Sequence, residues 1–129
     1  MHKFTSVICL LSVGLFTSMS VAAAATENDS VATQALETGR ALFLDNCAEC
    51  HQSNGRGLKG IYPSLASSEV VRGSGTDVAL QLIIGRGEMP SFAGAMSPQD
   101  MADVVNYVRN AWGNTGDSID AISIERLLD

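Results

Sequence analysis

The chain has 129 residues, of which 46% are hydrophobic, and its formal net charge at pH 7 is −6. This length is sufficient for one domain with a modest core. The excess of 14 acidic over 8 basic side chains disfavours binding to nucleic acids and to acidic membrane surfaces, because like charges repel each other.

The first 25 residues have the features of a cleaved signal peptide. His2 and Lys3 provide a positively charged start, residues 4–21 are mostly apolar, and four consecutive alanines ending at Ala25 form a small-residue cleavage site. The apolar run is interrupted and is short for a membrane span of about 20 residues. We therefore expect cleavage after Ala25, export to the periplasm and no stable membrane insertion afterwards. A retained membrane anchor is the alternative.

Cleavage changes the inventory of charged and sulfur-containing side chains. Lys3 and Cys9 leave with the signal peptide, so residues 26–129 keep 14 acidic and 7 basic groups, a formal charge of −7. Cys47 and Cys50 are then the only cysteines, and His51 is the only histidine.

An amphipathic helix is predicted from Thr33 to Asn46. Ala35, Gly39 and Phe43 follow one another at intervals of four, so they share one face of this helix. A glycine in the middle of a helix costs stability relative to alanine. We therefore interpret Gly39 as the site of a close packing contact.

The next segment, Cys47-Ala48-Glu49-Cys50-His51, is typical of covalent haem attachment. Two thiols separated by two residues each add across a vinyl group of a haem, and the adjacent imidazole then lies beneath the iron as an axial ligand. Two alternatives use the same residues: a disulfide formed in an oxidising compartment, and a zinc site, which needs a fourth ligand. A thioredoxin-like redox pair is disfavoured, because the preceding residues predict a helix and not a strand.

A loop and a short helix follow the motif. Residues 52–68 lose helical periodicity, and their glycines together with Pro63 predict a tight loop that lets the backbone approach a flat cofactor. The loop lacks the ending of a phosphate-binding loop. A helix is predicted over residues 77–84, with Thr76 or Ser74 as its N-cap. Its apolar side chains are expected to line a pocket, namely Val78, Leu80, Leu82, Ile83 and Ile84.

The strongest helix pattern begins at Ser97. Ser97 is a suitable N-cap, Pro98 occupies the first helical position, and the acidic Asp100 lies three residues after the cap. Apolar residues then recur at helical spacing as far as Trp112. A last short helix is predicted over residues 120–129.

The second axial ligand is expected to be a methionine. Because His51 is the only histidine of the exported chain, two histidine ligands within one chain are excluded. The candidates are Met89, Met96, Met101 and, least favoured, Lys59. Met101 belongs to the apolar stripe of a helix, and Met96 precedes the helix cap, at the position of a hydrophobic staple. Met89 is favoured because it lies in a loop with two glycines and a following proline, with an open iron position as the alternative.

Residues 34–113 resemble a class I cytochrome c domain. The resemblance rests on Gly39, Phe43, the Cys47–His51 motif, Tyr107, and the segments 60–65 and 89–92. It implies an all-α cytochrome c fold in which three to five helices wrap around one covalently attached haem c with its iron. It also divides residues 26–129 into a core at 34–113 and a C-terminal extension at 114–129.

The same resemblance implies roles for individual residues. Cys47 and Cys50 hold the haem, and His51 and Met89 ligate its iron. The Pro63 carbonyl accepts a hydrogen bond from the His51 ring nitrogen that is not bound to iron. Such a bond would fix the ring and raise the basicity of the ligand.

Three further side chains are candidates for contact with the haem propionates. The guanidinium groups of Arg86 and Arg72 match carboxylates, and Trp112 carries an indole N–H. Solvation of the two arginines and helix packing of Trp112 are the alternatives.

The predicted function is electron transfer. Residues 107–114 and the tail resemble cytochrome subunits of periplasmic alcohol, aldehyde and sugar dehydrogenases. A haem with both axial positions filled has no site for a substrate, so we expect a carrier and not an enzyme. Its partners would be a redox donor and acceptor, such as a dehydrogenase, an oxidase or another cytochrome. The alternatives are a subunit docked permanently to such a complex, and an open-site haem enzyme or sensor.

Overall fold

The computed structural model describes residues 21–129, with side chains from Glu27 onward. The predicted signal peptide therefore lies outside the described residues, apart from the backbone of residues 21–25. Within residues 21–129 the chain forms helices and loops without a β-sheet, which confirms the predicted all-α class. The helices in chain order are α1 (Val21–Asn46), α2 (Ala48–His51), α3 (Glu69–Arg72), α4 (Gly75–Ile84), α5 (Pro98–Asn110) and α6 (Ala121–Leu128).

Helix α1 already includes Val21, the first described residue, so it extends at least twelve residues before the predicted start at Thr33. The run that suggested a cleavage site consists of alanine, which has the highest helix propensity of any residue type. The run therefore extends the helix. Residues 27–34 are all exposed, and packing against the rest of the chain begins only after them. Cleavage after Ala25 stays a prediction.

Helices α1 and α5 pack closely against each other. Gly39 of α1 is buried against α5, where a Cβ atom would collide with the Asp103 carbonyl and approach the Tyr107 Cβ to 2.9 Å. One turn further along, Phe43 is fully buried, with its ring centroid 5.7 Å from that of Tyr107. The close packing contact predicted for Gly39 is therefore confirmed.

Helices α4 and α5 begin with side-chain caps. The Ser74 hydroxyl accepts a hydrogen bond from the Thr76 N–H at 3.1 Å, so α4 begins at Gly75, two residues before the predicted start. At α5 the Ser97 hydroxyl accepts from the Asp100 N–H, and the Asp100 carboxylate accepts from the Ser97 N–H. This capping box confirms the predicted helix start.

Helix α5 ends at Asn110, two residues before the predicted end at Trp112. The backbone becomes extended at Ala111, and Trp112 adopts a left-handed conformation with φ of 53°. This turn directs the Trp112 ring onto Phe43, at a centroid distance of 4.9 Å. The apolar spacing predicted that the helix continues to Trp112. A side chain that packs inward matches helical spacing whether or not its backbone is helical.

The C-terminal extension packs against the core. Helix α6 begins after Asp120, whose carboxylate accepts a hydrogen bond from the Ser123 N–H at 2.8 Å. Hydrogen bonding from Ser123 lowers the pKa of Asp120. Ile124 of α6 is fully buried, and α6 contacts both α4 and α5. The predicted short helix over residues 120–129 is confirmed.

Two single turns, α2 and α3, were not predicted as separate helices. Each has four residues, which is too short for a periodic pattern to be recognised. No helix within residues 21–129 has both the length and the apolar character needed to cross a membrane.

Candidate haem-binding site

A cavity of about 540 Å³ lies between the helices. This volume is within the range of about 300–1,000 Å³ that is usual for sites of small molecules and cofactors. Its wall is mainly apolar and is built from α1, α3, α4 and α5. The side chains that form it include Phe43, Val71, Val78, Leu82, Val104 and Val108.

The haem-attachment motif contributes three side chains to this cavity. Cys47, Cys50 and His51 all line it, because the short turn α2 places positions i, i+3 and i+4 on one face. The His51 N–H donates to the Cys47 carbonyl at 2.9 Å, which closes this turn. His51 itself is buried. The motif predicted from sequence thus faces an apolar cavity.

Both cysteines of the motif are free thiols. Burial, with a smaller contribution from Cys50, raises the pKa of Cys47 to about 11. Redox-active dithiols work in the opposite way, with a thiol pKa lowered toward neutrality. No group of three or more His, Cys, Asp or Glu side chains suitable for a metal ion occurs in the part of the chain that the structure describes. The raised pKa of Cys47 therefore does not favour a redox-active dithiol.

The His51 ring is oriented by the loop that follows it. Its Nδ1 atom lies 3.0 Å from the Pro63 carbonyl oxygen, so an Nδ1–H group donates to that oxygen and Nε2 remains free as a metal donor. The loop is held by Gly57, whose N–H donates to the His51 carbonyl at 2.8 Å. Gly57 has a φ of +61°, and a Cβ atom there would lie 2.5 Å from the Pro63 oxygen. Only glycine permits this approach.

Met89 reaches the same cavity from a tight loop between α4 and α5. Arg86 and Met89 exchange two backbone hydrogen bonds of 3.0 Å each. Gly85 has a φ of +74°, and a Cβ atom there would lie 2.5 Å from the Met89 carbonyl oxygen. The Ser91 hydroxyl then donates to the Ile83 carbonyl at the end of α4, at 2.5 Å. The backbone is therefore fixed on both sides of Met89.

The other candidate ligands lie elsewhere. Met96 packs against the hydrophobic core, and Met101 is fully buried within it. Neither methionine lines the cavity, and Lys59 does not line it either. Among the described residues, Met89 is the only methionine in the cavity wall.

These residues fit a covalently attached haem. Two free thiols, an imidazole held in one tautomer and a thioether surround one apolar cavity. Thiols form the thioether links of haem c, and imidazole and thioether sulfur are ligands of haem iron.

Comparison with known proteins also supports haem as the group that the cavity binds. Residues 34–108 match the family described as "Cytochrome C oxidase, cbb3-type, subunit III", which covers more than half of the chain. The chain belongs to the cytochrome c family. Covalently bound haem c with its iron is the cofactor that this family membership implies, and electron transfer is its function. The class suggested by the sequence is confirmed.

The relatives of this cytochrome include a protein named cytochrome c6 and proteins named as cytochrome c subunits of dehydrogenases. Cytochrome c6 from Synechocystis sp. is 37% identical over 105 residues, which covers 78% of both chains. The cytochrome c subunit of the quinone alcohol dehydrogenase from Gluconobacter oxydans is 33% identical over 103 residues, 69% of this chain and 21% of the relative. The gluconate 2-dehydrogenase cytochrome c subunit of Pantoea cypripedii is 32% identical over 91 residues, 60% of this chain and 21% of the relative. The cytochrome thus spans about a fifth of the length of these two dehydrogenase subunits.

Of the candidate propionate contacts, only Arg86 lines the cavity of the cytochrome. Arg72 is turned away: its guanidinium pairs with Glu69 at 3.1 Å and donates to the Ser67 carbonyl at 3.1 Å. Trp112 does not line the cavity, and its ring covers Gly55 and packs on Phe43. The packing alternative for Trp112 is the one the structure shows.

The pocket prediction for α4 was correct in part. Val78 and Leu82 line the cavity of the cytochrome, whereas Leu80 and Ile83 do not, and Ile84 is 70% exposed. Sequence analysis also missed wall residues from other elements, namely Val71, Phe92, Val104, Val105 and Val108. Helical spacing marked the three valines of α5 as buried, but spacing alone does not show what a buried face contacts.

Proposed function

We propose that this chain is an exported monohaem cytochrome that carries single electrons between redox partners. Cys47 and Cys50 would hold the haem through thioether bonds, and His51 and Met89 would ligate its iron. When bound, haem c supplies a one-electron couple between ferric and ferrous iron. The observation that carries this proposal is that both thiols, the oriented imidazole and a single methionine line the same cavity.

The protein side chains determine how the group behaves. The Pro63 carbonyl holds the His51 ring and increases its basicity, while the Met89 sulfur favours the ferrous state relative to a second histidine. The apolar wall acts in the same direction as the sulfur, because it disfavours the additional positive charge of ferric iron. With both axial positions filled by the chain, no position remains for a substrate.

Electrons would enter and leave where the cavity reaches the surface. Ile61 and Val70 line the cavity and are 67% and 59% exposed, so they mark this opening. A small apolar contact of this kind suits the weak, short-lived docking of redox partners. The partners would be a donor and an acceptor, such as a dehydrogenase, an oxidase or another cytochrome.

Haem attachment and export are tested together by intact mass. Protein purified from the periplasm should have the mass of residues 26–129 plus one haem, and the haem should remain after denaturation and acid–acetone extraction. Variants Cys47→Ser and Cys50→Ser should each retain the haem through one bond only. Complete extraction of the pigment from the unmodified chain would refute covalent attachment.

The axial methionine is tested by a pair of matched variants. Methionine–iron bonding gives the ferric protein a weak charge-transfer band in the far red. Met89→Ala should abolish this band, whereas Met96→Ala should retain it, because Met96 is packed outside the cavity. Loss of the band in Met96→Ala with its survival in Met89→Ala would refute the assignment. A high-spin ferric spectrum of the unmodified protein would favour the open-site enzyme or sensor.

A second function, that of a permanently docked subunit, is favoured by the relatives that are named as dehydrogenase cytochrome c subunits. The mass of the native protein in a periplasmic extract distinguishes it from a free carrier. A free carrier should migrate as a single small protein, and a docked subunit should co-migrate with a much larger oxidoreductase.

A further inference from the structure

Arg109 near the end of α5 is a buried cation without a carboxylate partner among the described residues. The residue is only 3% exposed. Three backbone carbonyl oxygens accept hydrogen bonds from the guanidinium: those of Val71 at 3.3 Å, Gly73 at 2.7 Å and Asp117 at 3.2 Å. A buried charge is costly unless it is hydrogen-bonded, so these three bonds fix its position.

The carbonyl groups belong to two parts of the chain that are distant in sequence. Val71 and Gly73 form the end of α3, and Val71 also lines the haem cavity. Asp117 belongs to the C-terminal extension. Arg109 therefore lies directly behind one wall of the cavity and connects that wall to the extension.

The wall at α3 depends on such outside support. Helix α3 has a single turn of four residues, and a helix this short is not stable by itself. The Ser68 cap holds its start, with a long hydrogen bond of 3.5 Å to the Val71 N–H. The guanidinium of Arg109 holds its end, where a positive charge is also favoured by the carbonyl dipoles.

The extension in turn encloses Arg109. A Cβ atom at Gly116 would lie 2.5–2.8 Å from the guanidinium atoms, so the Gly116 backbone covers the charge. Beside it, the Asn106 side chain donates to the Ile119 carbonyl at 2.9 Å and accepts from the Ile119 N–H at 2.8 Å. The buried Ile124 anchors the rest of the segment.

We propose that Arg109 and residues 114–129 form a latch that holds the α3 wall closed over the haem, which makes Arg109 a positioning residue for the haem environment. The inference rests on the proposed function, since it assigns the cavity to haem. When the latch loosens, α3 opens locally, and water and small ligands reach the haem. A wetter cavity stabilises the ferric state, so the reduction potential falls.

The first test inserts a single methyl group next to the guanidinium. Gly116→Ala should displace Arg109, whereas Gly94→Ala is the matched control, because a Cβ atom at Gly94 meets nothing within 4 Å. The holo-proteins are compared by the rate at which added imidazole displaces Met89 from the ferric iron and by reduction potential. We expect Gly116→Ala to bind imidazole about ten-fold faster or more and to have a lower potential, with Gly94→Ala unchanged. Equal rates and potentials in Gly116→Ala and the unmodified protein would overturn the latch.

The second test changes the cation itself and decides the question if Gly116→Ala does not accumulate. Arg109→Lys keeps the charge but loses the planar arrangement of donors, so imidazole binding should be faster than in the unmodified protein and slower than in Arg109→Gln. Arg40→Gln removes one positive charge from the exposed face of α1, outside the latch, and should change neither quantity. If Arg109→Lys and Arg40→Gln behave alike, the latch is refuted. A missing far-red band in the unmodified protein would instead refute methionine ligation, which these rates do not test.

Discussion

At the scale of single residues, the site depends on backbone positions where no side chain fits. The Pro63 carbonyl can reach the His51 ring only because Gly57 lies against it without a Cβ atom. The Met89 carbonyl likewise lies so close to Gly85 that a Cβ atom there would collide with it. Gly57 and Gly85 thus help to position the two proposed ligands, although neither glycine is itself a ligand.

Gly57 and Gly60 form a matched pair that tests this dependence. Both have positive φ angles, +61° and +82°, so alanine at either position should cost about 1–2 kcal/mol of unfolding free energy. Only at position 57 does the new Cβ atom also push the Pro63 oxygen away from His51. A less basic ring stabilises ferric iron less, so Gly57→Ala should have a higher reduction potential than Gly60→Ala. Potentials that agree within error would show that the Pro63 bond does not tune the ligand.

At the scale of helices, the start of α5 was predicted correctly and its end was not. The start of α5 is encoded by three neighbouring residues, Ser97, Pro98 and Asp100, whose side chains act within one turn. The end of α5 is determined by Trp112 packing on Phe43, a contact across more than sixty residues of sequence. The part of α1 before Thr33 was not predicted, because an alanine run is compatible with both a processing site and a helix.

The cap of α6 predicts a measurable acid sensitivity. Because hydrogen bonding from Ser123 lowers the pKa of folded Asp120, the cap stabilises the protein above the ordinary pKa of about 3.8. That contribution is lost as the pH falls through the lower pKa of the folded state. Asp120→Asn accepts the same bond without titrating and should lose less stability on acidification. Asp120→Ala should be less stable at every pH.

Urea unfolding at neutral pH and near pH 3 measures these differences. The unmodified protein should lose more stability between the two conditions than Asp120→Asn. An identical loss in both proteins would show that Asp120 does not contribute to acid unfolding.

At the scale of the whole molecule, the fold class and the donor residues could be predicted, and the connections between elements could not. The haem motif, the apolar helices and the methionine loop are each local patterns within about ten residues. Arg109, by contrast, looks like an ordinary charged residue near a helix end. Its burial arises from carbonyl groups at Val71 and Asp117, and backbone acceptors leave no mark in a sequence. The same reason explains why Arg72 and Arg86, similar in sequence, differ in their access to the cavity.

The single tryptophan has a consequence for experiments on folding. Trp112 rests on Phe43, and Phe43 lines the cavity assigned to the haem. An indole this close to a porphyrin passes its excitation energy to the pigment and emits almost no light. When the end of α5 separates from α1, the emission returns. The fluorescence of Trp112 therefore reports unfolding without an added dye.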